Sequence, residues 1–329
     1  MQQGRDRSVS RRRFLVQGAA ATAAVAAGQR LAFAAEKPQV VIVRDQSEKV
    51  VQGRKVDAAL TRKLVDQAVM TMAGKDDVGQ AWGAFVKPSD KVAVKFNGLF
   101  RGATTHPDVV DAVTRGLMAA GVDPAHIVIY DRDAKAFRTA RIPVNRDDKS
   151  KPLAFPTEKA YGPKVKAGPH TTQLSKILAQ ADALINLPVL KTHGLAGASG
   201  ALKNHLGTIP NAWELHPDDQ GGKSCLYVAD LNAMPDIKAK TRLCIVDGLY
   251  GLYHGGPQFN PRFRWDYCGV LAATDPVALD ITLSEILKAK RTEKGMGPYH
   301  KPIRHIHRAA ELDLGVGDPK AIQRVEKMV

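Results

Sequence analysis

At 329 residues, 44% of them hydrophobic and 25% charged, the chain carries enough apolar material for one large α/β domain or for such a domain with a small insertion. Its 48 Lys and Arg outnumber its 33 Asp and Glu, but the basic residues are scattered and only 6% of residues are aromatic, which argues against a nucleic-acid groove with stacking platforms and favours a solvated basic surface open to anionic ligands. Cys225, Cys244 and Cys268 are the only cysteines and form no Cys-x-x-Cys pair, so the chain lacks the four thiolates of an intrinsic ferredoxin-type iron–sulfur cluster. An oxidising compartment would permit one disulfide among them, and burial as plain core residues is the competing expectation.

Residues 1–35 read as an export leader. Ser10-Arg11-Arg12-Arg13-Phe14-Leu15 is a twin-arginine pattern, an Ala-rich apolar stretch follows, and Ala32-Phe33-Ala34 is a small-x-small cleavage site. The apolar part, Gly18 to Gly28, is too short to span a bilayer comfortably, so no permanent membrane anchor is expected. The leader's six arginines and one aspartate account for +5 of the formal +15, which leaves the remainder, residues 36–329, at +10. The expectation is a periplasmic or extracellular protein handed to the twin-arginine export machinery, a route whose folded passengers often acquire a cofactor first.

Along the remainder, short β-branched runs at Gln39–Val43, Lys91–Phe96, His126–Asp131, Ala183–Leu187, Arg242–Val246 and Gly269–Ala273 predict buried strands. Helical periodicity is expected at Ala58–Met72, Pro107–Ala120, Thr172–Ala179, Pro276–Lys290 and Ile303–Leu312. This alternation predicts an α/β fold, a mostly parallel twisted sheet covered by helices. The Lys-, Pro- and Gly-rich stretch 133–170 reads as a small inserted subdomain. Strands end in polar residues, Asn97, Asp131, Lys191 and Asp247, and the carboxyl ends of such strands are where ligands bind.

The densest polar cluster is the run from Asn186 to Gly207, which holds Lys191, His193, Lys203 and His205 among glycines at 194, 197, 200 and 207. The pattern predicts a strand, a glycine loop, then a short helix with Ser199 as N-cap and Gly207 just past its end, so that backbone amides and a lysine hold a phosphate or carboxylate. Spacing excludes a Walker loop. His193 and His205 stand twelve apart, not at the spacing of a helical metal pair, yet the loop can fold them together; His216, Asp230 and Asp247 are further candidate ligands. His300, His305 and His307 fall in a basic amphipathic stretch and are expected at the surface. Asp275-Pro276 is a helix start, whereas Asp280, in the second turn of an apolar helix, needs a partner if buried.

With Val94-Lys95-Phe96-Asn97, Thr105-His106-Pro107, Asn186-Leu187-Pro188 through Lys191-Thr192-His193, Gly200-Ala-Leu-Lys203-Asn204-His205-Leu-Gly207, Asp247-Gly248, Gly256-Pro257 and Asp275-Pro276-Val-Ala-Leu-Asp280 in order, the chain resembles the domain-of-unknown-function 362 (DUF362) family over nearly all of residues 36–329. Members often carry ferredoxin-like cysteine modules; those cysteines are missing here. A fainter similarity, in the order His193, Ser199-Gly200, Lys203, is to nickel-pincer lactate racemase apoproteins; it implies a lysine that anchors an organic cofactor and a hydroxy acid as substrate. The combined expectation is an enzyme that binds an anionic small molecule, or a metal or organic cofactor, at the Lys191–Gly207 loop. Lys191, His193 and His205 are the candidate catalytic residues. Lys95, Asn97, Ser199, Gly200, Lys203, Asn204 and Asp247 are the cofactor-binding candidates, and His193, His205 and Asp280 the candidate metal ligands. The alternative is a non-catalytic binding or accessory protein for a redox partner.

Overall fold

Apolar runs bounded by turn residues build the sheet. The computed structural model describes residues 37–299 and 301–329, so the expected leader and His300 lie outside the described residues. Its strands are β1 (Gln39–Arg44), β2 (Val51–Gln52), β3 (Lys55–Val56), β4 (Val92–Lys95), β5 (Ile127–Tyr130), β6 (Leu153–Ala154), β7 (Tyr161–Ala167), β8 (His170–Ser175), β9 (Ala183–Asn186), β10 (Val189–His193), β11 (Gly197–Ala198), β12 (Thr241–Leu252), β13 (Arg264–Ala273) and β14 (Gln323–Met328). The main sheet runs β14-β1-β13-β12-β9-β4-β5-β6, with β10 pairing on β12 and β11 on β10. Its pairings are parallel except where β13 meets β1 and β12 and where β11 meets β10. The architecture is therefore α/β with a mostly parallel sheet.

Period-two alternation divides the apolar residues between two cores. Val92, Val94, Ile185 and Ile245 point to one, which the helices Ala58–Ala73, Val78–Gly83 and Pro107–Ala119 cover. Ala93, Leu184, Cys244 and Val246 point to the other, shared with Pro276–Glu293 and Arg304–Glu311. The three cysteines are buried and free.

Two elements differ from expectation. The helix expected over Thr172–Ala179 begins only at Lys176; Thr172 belongs to β8, which pairs antiparallel with β7, and Ser175 accepts from the Ile177 amide to start the turn. The segment 133–170 opens with a helix, Ala134–Ala140, adds β6 to the edge of the main sheet, and continues into the β7–β8 hairpin beside it.

Asp275 starts Pro276–Glu293 as read: one oxygen accepts from the amides of Val277 and Ala278, both at 2.8 Å, and the other from Val316, also at 2.8 Å. One side chain thus caps a helix and anchors the C-terminal segment. Asp275→Ala should cost about 1–3 kcal/mol in urea unfolding, with Asp275→Asn losing less because it keeps an acceptor.

Candidate active site

The carboxyl ends of β4 and β5, together with β10, converge on one cavity of about 630 Å³. Lys95 ends β4 and is 1% exposed, Lys191 lies in β10 at 2%, and Lys203, in the short helix Ala201–Asn204, is 7% exposed. All three line the cavity, with Asn97, Asp131, His193, Ser199, Gly200 and Asn204; Arg132 and Lys135 also border it.

Each lysine has a different partner. Lys95 Nζ is 2.9 Å from Asp131, whose carboxylate also accepts from the amides of Gly98 and Arg132. Lys191 Nζ donates to Asn97 Oδ1 at 2.8 Å and to the Ala103 carbonyl at 2.6 Å. Lys203 Nζ is 3.2 Å from Cys225 Sγ. Burial lowers all three amines; Asp131 opposes this at Lys95, and Lys191 falls to about 7, with Lys203 and Lys95 adding to the effect of burial. The nearby amides form a chain: Asn97 Nδ2 donates to Asn204 Oδ1, Asn204 Nδ2 to Asn186 Oδ1 and the Lys95 carbonyl, and Asn186 Nδ2 to the Ala201 carbonyl.

His193 Nδ1 accepts from the amides of Leu195 and Ala196, at 3.2 and 3.3 Å, so its neutral ring carries the proton on Nε2. Its ring lies 5.9 Å from that of His216, which stacks on Trp213 at 4.7 Å. Burial first, and then Lys203, holds His193 far below its ordinary range and brings His216 to about 4.

Several expectations change. The N-cap is Gly200, not Ser199, and the amides of Ala201 and Leu202 already bind an anion: the Asp280 carboxylate, at 2.6 and 3.0 Å. A Cβ at position 200 would strike that carboxylate. Asp280 is thus a cap supplied from another helix, and among the described residues no group of three or more His, Cys, Asp or Glu is placed to hold a metal ion, so His193, His205 and Asp280 are not brought together as a ligand set. His205 is 1% exposed and approaches Asn186 Nδ2 at 3.3 Å; it sits behind the cavity wall rather than on it. Asp247 likewise lies off the cavity, accepting from the amides of His106 and Leu249. His305, expected at the surface, is fully buried, and neither ring nitrogen has a protein partner; His307 is exposed.

The family described as domain of unknown function (DUF362) matches residues 86–285, a span that contains every cavity lysine and Asp280. The chain belongs to the DUF362 family. It is 30% identical over 220 residues to the thylakoid-associated protein sll1697 of Synechocystis sp., covering 63% of this chain and 65% of that relative. Among solved structures it is similar to the lactate racemase apoprotein of Thermoanaerobacterium thermosaccharolyticum, with a TM-score of 0.44 and 12% identity over 75% of this chain and 56% of that one.

This DUF362 chain also uses residues that sequence reading left out of the site. Asp131 was visible as a strand end and His216 as a candidate ligand, whereas Trp213 and Cys225 reach the cavity or its lysine through long connections that carry no periodic signal. The buried histidines set an acid limit. His205 and His305 are both pushed down to about 3 by burial, so the unfolded chain takes up protons below about pH 6.5 that the folded one refuses. Stability should be intact above pH 6.5 and fall by roughly 1 kcal/mol per pH unit per histidine as pH drops toward 3. Urea unfolding at pH 7, 6 and 5 checks this, and His305→Gln should flatten the slope by one histidine's share.

Proposed function

We propose that this protein is an exported enzyme that acts on an anionic small molecule, a carboxylate or phosphate, held in the cavity of about 630 Å³. The observation that carries the reading is three buried lysines on one cavity with a single carboxylate, Asp131, ion-paired to one of them. Among the described residues neither Lys191 nor Lys203 has a carboxylate within ion-pair distance. Asp133, at the mouth, is matched by Arg132 at 3.1 Å. An incoming anion would supply the missing charge in a place where burial strengthens it.

His193, with its Nε2–H, and Lys191 are the groups on the cavity able to move a proton or attack a carbonyl, which favours turnover over binding alone. Export rests on the twin-arginine pattern at residues 10–15 and carries with it the periplasmic or extracellular location. A hydroxy-acid isomerase with an organic nickel cofactor is a narrower version of the same reading. It draws on His193, Ser199, Gly200 and Lys203 lining one cavity, and stoichiometric nickel in protein from its native source would single it out.

Calorimetric titration with inorganic phosphate, L-lactate and pyruvate tests the anion site. At least one should bind with an affinity that weakens as salt rises, and Lys203→Met should weaken it roughly tenfold or more, the worth of one charge-assisted hydrogen bond. Binding equal in the variant, or none by the wild type, would reject the reading.

A further inference from the structure

The three cavity lysines divide by the charge of what they touch. Lys95 has a carboxylate at 2.9 Å and Lys203 a thiol sulfur at 3.2 Å, while Lys191 meets only two uncharged oxygens. One of these is the Ala103 carbonyl, which can only accept. The other belongs to Asn97, and the amide chain behind it fixes which end of that side chain faces the lysine. Asn186 must turn its NH₂ toward the Ala201 carbonyl, and Asn204 must turn its own toward the Lys95 carbonyl and Asn186 Oδ1. Asn204 then offers only its oxygen to Asn97, so the Asn97 NH₂ is engaged there and its oxygen is left for Lys191.

Lys191 Nζ therefore has two acceptors, at 2.8 and 2.6 Å, in a site where the residue is 2% exposed. A neutral amine has two N–H groups and one electron pair, and two acceptors leave that pair unengaged. With both N–H groups on protein acceptors, the remaining position on Nζ is the one left for a molecule in the cavity that Lys191 lines. A desolvated amine beside further cationic groups is the arrangement that makes a lysine nucleophilic.

We infer that Lys191 forms a reversible imine with the aldehyde or ketone carbonyl of an anionic substrate, of which 2-oxo acids are the simplest class, with Lys203 on the same cavity taking the anionic group. The inference rests on the anion-binding reading above and names its substrate class. The electron pair of Nζ forms the C–N bond as the carbonyl π pair moves to oxygen. One amine hydrogen passes to that oxygen, the hydroxyl then leaves with the second as water, and C=N remains. Amine and carbonyl give imine and water with no change of oxidation state.

The full-length protein, incubated with glyoxylate or pyruvate in the presence of cyanoborohydride, tests this by intact mass and peptide mapping, beside calorimetry with propionate and phosphate, which have no ketone or aldehyde. The expected result is a single reduced adduct on Lys191 in the wild type, reduced roughly tenfold or more in Lys191→Arg. The site of the wild-type adduct decides the matter even if that variant fails to fold. An adduct confined to Lys203, or spread over surface lysines, overturns the inference. Binding of propionate or phosphate without any adduct overturns the imine and leaves the anion site standing. Neither binding nor adduct overturns both.

Discussion

The cavity depends on a buried carboxylate that belongs to a different helix. Asp280, fully buried in Pro276–Glu293, accepts from the amides of Ala201 and Leu202 and so holds the start of the turn that carries Lys203 and Asn204. Burial raises its carboxyl to about 7, and the two backbone donors pull the other way. A helix start offers unpaired N–H groups and a favourable dipole, which is the environment a buried carboxylate requires. Only glycine fits at 200 beneath it. From the other end, Asn232 Nδ2 donates to the Leu202 carbonyl at 2.9 Å. With the turn pinned at both ends, Asn204 is fixed, and through the amide chain so is the oxygen that Lys191 meets.

Three lysines on one buried wall would repel one another if all were fully charged. The structure answers this with three different environments. Asp131 neutralises Lys95, and its own oxygens are held by the Gly98 and Arg132 amides. Lys203 lies against the Cys225 thiol, and Lys191 against uncharged oxygens that suit a neutral amine. A Cβ at position 207 would strike both Asp131 and Lys95, so the glycine that reads as a helix stop is required by the approach of this ion pair. The wall combines one ion pair with two further amines that burial pushes toward the neutral form.

Much of this was legible because its causes are local. The strands follow from β-branched runs, the Asp275 cap from Asp-Pro at a helix start, and the lysine cluster from its density at a strand end. What escaped is partner choice across long sequence separations. Asp280 is 79 residues from the amide it caps, and no periodicity encodes that contact. Ser199 looked like the cap because capping is usually supplied from within the same turn. His305 was misread because Arg304 and Arg308 flank it and suggested a solvated helix. Those two arginines are drawn to Asp218, Asp219 and Asp230, which turns His305, Ile306 and Ala309 inward.

One of these arginines, Arg304, also ties down a segment that lines the cavity. The lysine wall is built from buried hydrogen bonds among Asn97, Asn186, Asn204 and Asp280, and breaking any of them leaves a polar group without water or partner. The facing segment, which brings Ala212, Trp213 and His216 to the cavity, is tied to the C-terminal helix by Arg304 at 3.2 Å from Asp218 and 2.8 Å from Asp219. Arg304 and Asp219 are partly open to solvent, and such pairs are worth about 1 kcal/mol or less. Trp213 itself remains 63% exposed despite stacking on His216. The cavity thus has one wall held by buried amide hydrogen bonds and another held by the buried Leu215 together with ion pairs that reach the surface.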